Sequence, residues 1–110
     1  MSIRRMILAG VLALVLSACG VAVPADKVDY VGEWKADAMS LLITRDGSVV
    51  YERMKKGAKT SIDAPLKGFE GDDFKVGIGP METTFKVTAP PHQVGDRWLM
   101  TVDGVELTRQ

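Results

Sequence analysis

Met39-Ser40-Leu41-Leu42-Ile43-Thr44-Arg45-Asp46-Gly47-Ser48-Val49-Val50-Tyr51-Glu52-Arg53 decides the fold of this chain. Two runs rich in apolar and β-branched residues flank an Asp-Gly pair. Such residues fit a pleated, half-buried surface. Glycine takes the positive φ that a tight reversal demands, so Asp-Gly between two such runs marks a β-hairpin.

The same grammar continues outward. Phe74-Lys75-Val76-Gly77-Ile78 and Thr84-Phe85-Lys86-Val87-Thr88 alternate apolar and polar positions with a period of two. Trp98-Leu99-Met100-Thr101-Val102 leads through Asp103-Gly104 into Val105-Glu106-Leu107-Thr108-Arg109, a second Asp-Gly hairpin. Weaker strands fall at 31–35, 59–63 and 67–70. Gly47, Gly57, Pro65, Gly71, Pro80, Pro90-Pro91 and Gly104 punctuate the series. No segment after residue 29 carries a helical period; Asp37-Ala38-Met39 has room for one turn at most. The pattern predicts an all-β domain over residues 30–110, a small antiparallel meander of about eight short strands closed as a barrel or sandwich. A barrel of about eight strands is filled by its own side chains, which makes Trp34, Phe74, Phe85 and Trp98 core residues.

Composition narrows the function classes. The 110 residues carry 14 basic and 14 acidic side chains, enough chain for one small domain. No acid precedes Asp26, whereas Arg4 and Arg5 open the chain, so everything after residue 18 is slightly acidic. That gives no basis for a nucleic-acid partner, which needs clustered Lys and Arg. Lys55-Lys56-Gly57-Ala58-Lys59 reads as a solvated hairpin end. Cys19 is the single cysteine, so no disulfide forms within the chain and no cysteine cluster holds zinc.

The amino-terminal segment has its own logic. Met1-Ser2-Ile3-Arg4-Arg5 is basic, and the ten residues from Ile7 to Leu16 are apolar without interruption. Ten helical residues rise about 15 Å, half of a hydrocarbon core of about 30 Å, which suits an export-signal helix and not a spanning one. Leu16-Ser17-Ala18-Cys19-Gly20 resembles the lipobox of bacterial lipoproteins at every position. The resemblance implies removal of residues 1–18 and acylation of Cys19; the stretch that follows, to residue 29, has small residues, Pro24 and no period, so residues 19–29 read as acylated cysteine and tether. A thiolate is a strong nucleophile towards carbon, which is why that position needs cysteine. Two or more acyl chains hold a protein firmly on a bilayer where one holds it marginally. Gly20 after the cysteine, where an aspartate would signal retention by resemblance to enterobacterial sorting, implies the outer membrane, facing the periplasm.

Tyr30-Val31-Gly32-Glu33-Trp34 resembles the first-strand Gly-x-Trp of lipocalins and fatty-acid-binding proteins. Asp103-Gly104-Val105-Glu106-Leu107-Thr108-Arg109 resembles their last strand, whose arginine packs over that tryptophan. The resemblance implies a barrel whose interior could hold a small hydrophobic ligand, although those proteins have longer chains.

Catalytic signatures are absent from the pattern. His92 follows Pro90-Pro91 and is expected in an exposed loop, with no second histidine or further cysteine to make a metal site. Glu70, Asp72 and Asp73 fall in a turn without the alternating ligands of a calcium loop. Gly77-Ile78-Gly79-Pro80 precedes no helix and is not a phosphate loop. The expectation is therefore a non-enzymatic, membrane-tethered β domain without cofactor. It would bind an envelope protein or inhibit an enzyme; the alternative is a lipocalin-like carrier of a hydrophobic ligand.

Overall fold

The computed structural model describes residues 20–110. The signal segment 1–18 and the acylation site Cys19 lie outside the described residues. Nine strands form one antiparallel sheet: β1 Gly32–Ala36, β2 Met39–Ile43, β3 Ser48–Lys55, β4 Ala58–Glu70, β5 Asp73–Ile78, β6 Met81–Phe85, β7 Val87–Val94, β8 Arg97–Val102 and β9 Val105–Arg109. Their order is β6-β5-β4-β3-β2-β1-β9-β8-β7, so nearly every strand lies beside its neighbours in sequence and the first pairs with the last. The expected all-β meander is the fold.

The turns follow from backbone chemistry. Lys56-Gly57 and Asp103-Gly104 hold positive φ at both central residues (53° and 79°; 48° and 81°), the two-residue reversal whose twist matches that of the strands. The Asp46-Gly47 loop differs, because only Gly47 has positive φ, at 92°. It is a three-residue connection closed by Thr44 and Ser48. Ser48 N–H donates to Thr44 Oγ1 at 3.0 Å, Gly47 N–H donates to Thr44 O at 3.1 Å, and Thr44 Oγ1 donates to Asp46 Oδ1.

Sequence pattern and structure part at the corners. The strands expected at 59–63 and 67–70 are one strand, β4, which runs through Pro65. Pro65 has no N–H to give, and it lies one residue before β4 begins to pair with β5 at Leu66↔Val76. A register shift between Leu66 and Gly68 then bends β4, so that one half pairs with β3 and the other with β5.

The second corner is Lys86. Alone it joins β6 and β7, which stand at opposite ends of the strand order. Phe85 and Val87 point inward and Lys86 outward, the alternation of an unbroken strand. The sheet therefore curls until its ends share one bent strand, and the strand expected at 84–88 is divided at this bend between β6 and β7. Pro90, Pro91 and His92 belong to β7 and not to a loop; the register slips between Ala89 and His92, where prolines are tolerated.

Aromatic side chains fill the curl. Phe74 and Phe85 stack with centroids 5.0 Å apart, and the Tyr51 ring meets Phe85 edge-on at 4.9 Å. Trp34, Leu41, Ile43, Val49, Leu66, Val76, Met100, Val102 and Leu107 are buried around them. Among the described residues no polar or charged residue is buried, so this core rests mainly on apolar packing. Trp98 departs from the core expectation: it is half-buried and lies under a guanidinium.

Candidate functional site

The segment expected to be a tether is docked from Gly20 onward. Val21 N–H donates to Leu66 O at 3.0 Å and Val23 N–H to Arg45 O at 3.0 Å. Gly20 sits so close to Leu66 N that an added Cβ would lie 2.8 Å from it, and 2.9 Å from Pro65 Cβ. Pro24 then opens a 3₁₀ turn, Ala25–Tyr30, with Asp26 in its first turn. Proline at a helix start followed by an acid is a readable initiation signal, and it was available in Pro24-Ala25-Asp26.

Tyr30 ends this turn inside the core. Its hydroxyl donates to Asp72 O at 2.9 Å, and its carbonyl accepts from Trp34 Nε1 at 2.9 Å. Burial first, and then the Asp72 and Asp73 carboxylates, push the Tyr30 phenol up to about 12. Arg109 completes the closure. Its guanidinium lies 4.5 Å from the Trp98 ring and 5.6 Å from the Trp34 ring, and Nη1 donates to Asp29 O at 3.3 Å. Gly32 makes room for this: a Cβ there would lie 2.8 Å from Arg109 Cδ, and φ is +144°. The first-strand glycine is thus the floor on which the arginine stem lies.

Asp73 and Asp103 do structural work at the Lys86 corner. Lys86 N–H donates to Asp103 Oδ1 at 2.9 Å, and Asp103 N–H donates back to Lys86 O at 2.8 Å. Val87 N–H donates to Asp73 Oδ1 at 2.8 Å, while Lys86 Nζ reaches Asp73 Oδ2 at 3.3 Å. These side chains supply acceptors where no strand does. The Val87 amide, aided by the Lys86 ammonium, holds the Asp73 carboxyl below the usual carboxylate range. A carboxylate lowered on folding stabilises the fold above its ordinary range, and that contribution is lost as pH falls through the lowered value. Asp73→Asn keeps an acceptor for Val87 and removes the charge. Its urea midpoint should therefore fall less between pH 7 and about pH 3 than that of the parent. An unchanged acid slope would remove Asp73 from this role.

The clefts described lie outside the curl. One, of about 270 Å³, is lined by Lys35, Asp37, Ser40, Glu52, Arg53 and Met54 among others. A second, of about 260 Å³, shares Lys35, Ser40 and Glu52 and adds Glu33, Leu42 and Val50. Together they make one outer face of β1, β2 and β3, where Lys59 pairs with Glu52 at 2.7 Å and Lys35 with Glu33 at 3.2 Å. Leu42 and Met54 are exposed there. Beside this face the β3–β4 hairpin presents Lys55, Lys56 and Lys59 to solvent, as its sequence implies.

The structure scatters the other sequence candidates. His92 is exposed, its Nδ1 2.9 Å from Pro90 O. Glu70 pairs with Lys75 at 2.8 Å, apart from the roles of Asp72 and Asp73. Among the described residues no three His, Cys, Asp or Glu side chains are grouped to hold a metal ion. No protein-family model, no curated protein and no solved structure matches this chain.

Proposed function

We propose that this protein is a bacterial lipoprotein, held by acyl chains on Cys19 at the periplasmic face of the outer membrane, whose β domain binds a protein of the envelope. One observation carries the anchor. Arg4-Arg5, the apolar run from Ile7 to Leu16, and Leu16-Ser17-Ala18-Cys19 occur in the order and spacing that export, cleavage and acylation require. The domain's work is binding and not catalysis, by an enzyme-inhibiting or partner-holding contact through the outer face of β1–β3. Its mixed charge and exposed Leu42 and Met54 favour that face.

The carrier reading draws on the Trp34–Arg109 closure. It has less support, because Trp34, Phe74 and Phe85 occupy the interior that a ligand would need. The anchor is tested by Cys19→Ser in the producing bacterium. The variant should retain residues 1–18 and lose the lipid mass, read by intact-mass spectrometry of membrane extracts. Normal cleavage in the variant would defeat the reading.

A further inference from the structure

The Ile78-Gly79-Pro80-Met81 hairpin tip carries the most exposed large apolar side chains among the described residues, Ile78 at 69% and Met81 at 76%. The two face each other across the turn, since Ile78 pairs with Met81 in the β5–β6 ladder. Nothing in the fold requires apolar residues there, because neither side chain packs into the core.

Their position relative to the chain start gives them a use. Leu66 has the docked Val21 on one side and Val76 of β5 on the other. Neighbouring strands stand about 4.8 Å apart and a strand rises about 3.4 Å per residue. Ile78, two residues beyond Val76, therefore lies roughly 12 Å from Val21 by that spacing. Lys67 ties the tip to the same strand, its Nζ donating to Gly79 O at 2.7 Å. Cys19 is one residue before Gly20, and consecutive Cα atoms are about 3.8 Å apart, so a lipid on its sulfur is attached next to the docked segment. Val21, itself 54% exposed, continues the apolar surface towards the anchor.

We propose that the Ile78–Met81 tip is a second membrane contact, its two side chains entering the leaflet that holds the Cys19 acyl chains, with the Lys67 ammonium at phosphate level. The inference rests on the lipoprotein reading and gives it an orientation. The anchor alone permits any tilt, and anchor and tip together narrow the range; Met54 pairs with Lys59, seven residues along β4 from Leu66 and so roughly 24 Å from it. Amphipathic contacts of this kind hold weakly alone and add to an acyl anchor.

The test uses the acylated protein purified from membranes and reconstituted into phosphatidylethanolamine–phosphatidylglycerol vesicles. The single native cysteine is blocked by its lipid, so Ile78→Cys, Met81→Cys and Met54→Cys each accept one nitrobenzoxadiazole label. Doxyl-labelled lipid should quench the labels at 78 and 81 at least twofold more than the label at 54. Aqueous iodide should show the reverse order. Equal quenching at all three positions, or none by lipid, overturns the proposal. Shielding from iodide without lipid quenching means that a second copy covers the tip, and overturns it too. Intact mass and vesicle flotation are read first: a bare thiol and no flotation defeat the anchor and the tip together, whereas flotation with an aqueous tip defeats the tip alone.

Discussion

Trp34→Ala should destabilise the β domain by about 3–5 kcal/mol, the usual cost of emptying a fully buried aromatic site. Trp34 has no solvent exposure and sits in β1, the strand that pairs with both β2 and β9. Its loss removes packing at the centre, the Nε1 donor to Tyr30 O and one of the two rings beneath Arg109. Domains of this size are stable by only about 5–15 kcal/mol, so about a fifth or more of the total goes. Each kcal/mol moves a small domain's melting point by about 4–8 °C, and a drop of about 12–40 °C is expected by calorimetry. Trp34→Phe separates the contributions: it keeps a ring in the core and removes the donor, at a cost of about 1–3 kcal/mol. If Trp34→Ala melts within a few degrees of the parent, the apolar centre is not where the stability resides.

Gly47→Val comes second, through a different cause. At φ +92° a side chain is strained by about 1–3 kcal/mol wherever it stands. Here it also collides, because a Cβ on Gly47 would lie 2.8 Å from the Val21 carbonyl carbon and closer still to its oxygen. The backbone cannot yield as a flexible side chain would. Residues 20–23 must lift, and the bonds from Val21 to Leu66 and from Val23 to Arg45 go with them. At about 0.5–1.5 kcal/mol for each hydrogen bond, the total reaches about 3–5 kcal/mol. Gly57→Val supplies the reference, since Gly57 also has positive φ (79°) but nothing within 4 Å of its added Cβ. The difference between the two urea midpoints isolates the collision. Equal midpoints would show that the amino-terminal segment contributes nothing at Gly47. Limited proteolysis should also open residues 20–24 in Gly47→Val and leave them protected in Gly57→Val.

The hairpins were legible because their causes are local. Asp46-Gly47 and Asp103-Gly104 reverse the chain, and Phe74-Lys75-Val76 alternates, through the chemistry of a few adjacent residues. The corners were opaque because their causes lie across the fold. Pro65 looks like a strand end until one knows that β4 changes partner there. Pro90-Pro91 looks like a loop until β7 is seen to pair on one side only. Gly95, at φ +64°, makes the β7–β8 turn five residues beyond Pro90. The docked start was hidden for the same reason: residues 20–24 have no period, and their partners are Arg45, Gly47 and Leu66, far along the chain. Of the outer face, the sequence disclosed the lysines of the hairpin but not that Lys35, Ser40 and Glu52 share a wall, since that depends on three-strand register. Asp73 read as one of three turn acids, and only geometry separates its contact with Val87 from the exposed ion pair of Glu70.

Lys86 leaves β6 and β7 each with a bare outer flank once they diverge from the shared bend. An uncovered flank is a template on which a second polypeptide can add a strand and begin a fibre. Pro90 and Pro91 stand on the flank of β7, and neither has a hydrogen to donate to an incoming chain. The irregular pairing they impose around His92 twists that flank away from flatness. Wherever copies of this domain meet at high density, the two prolines make those meetings unproductive.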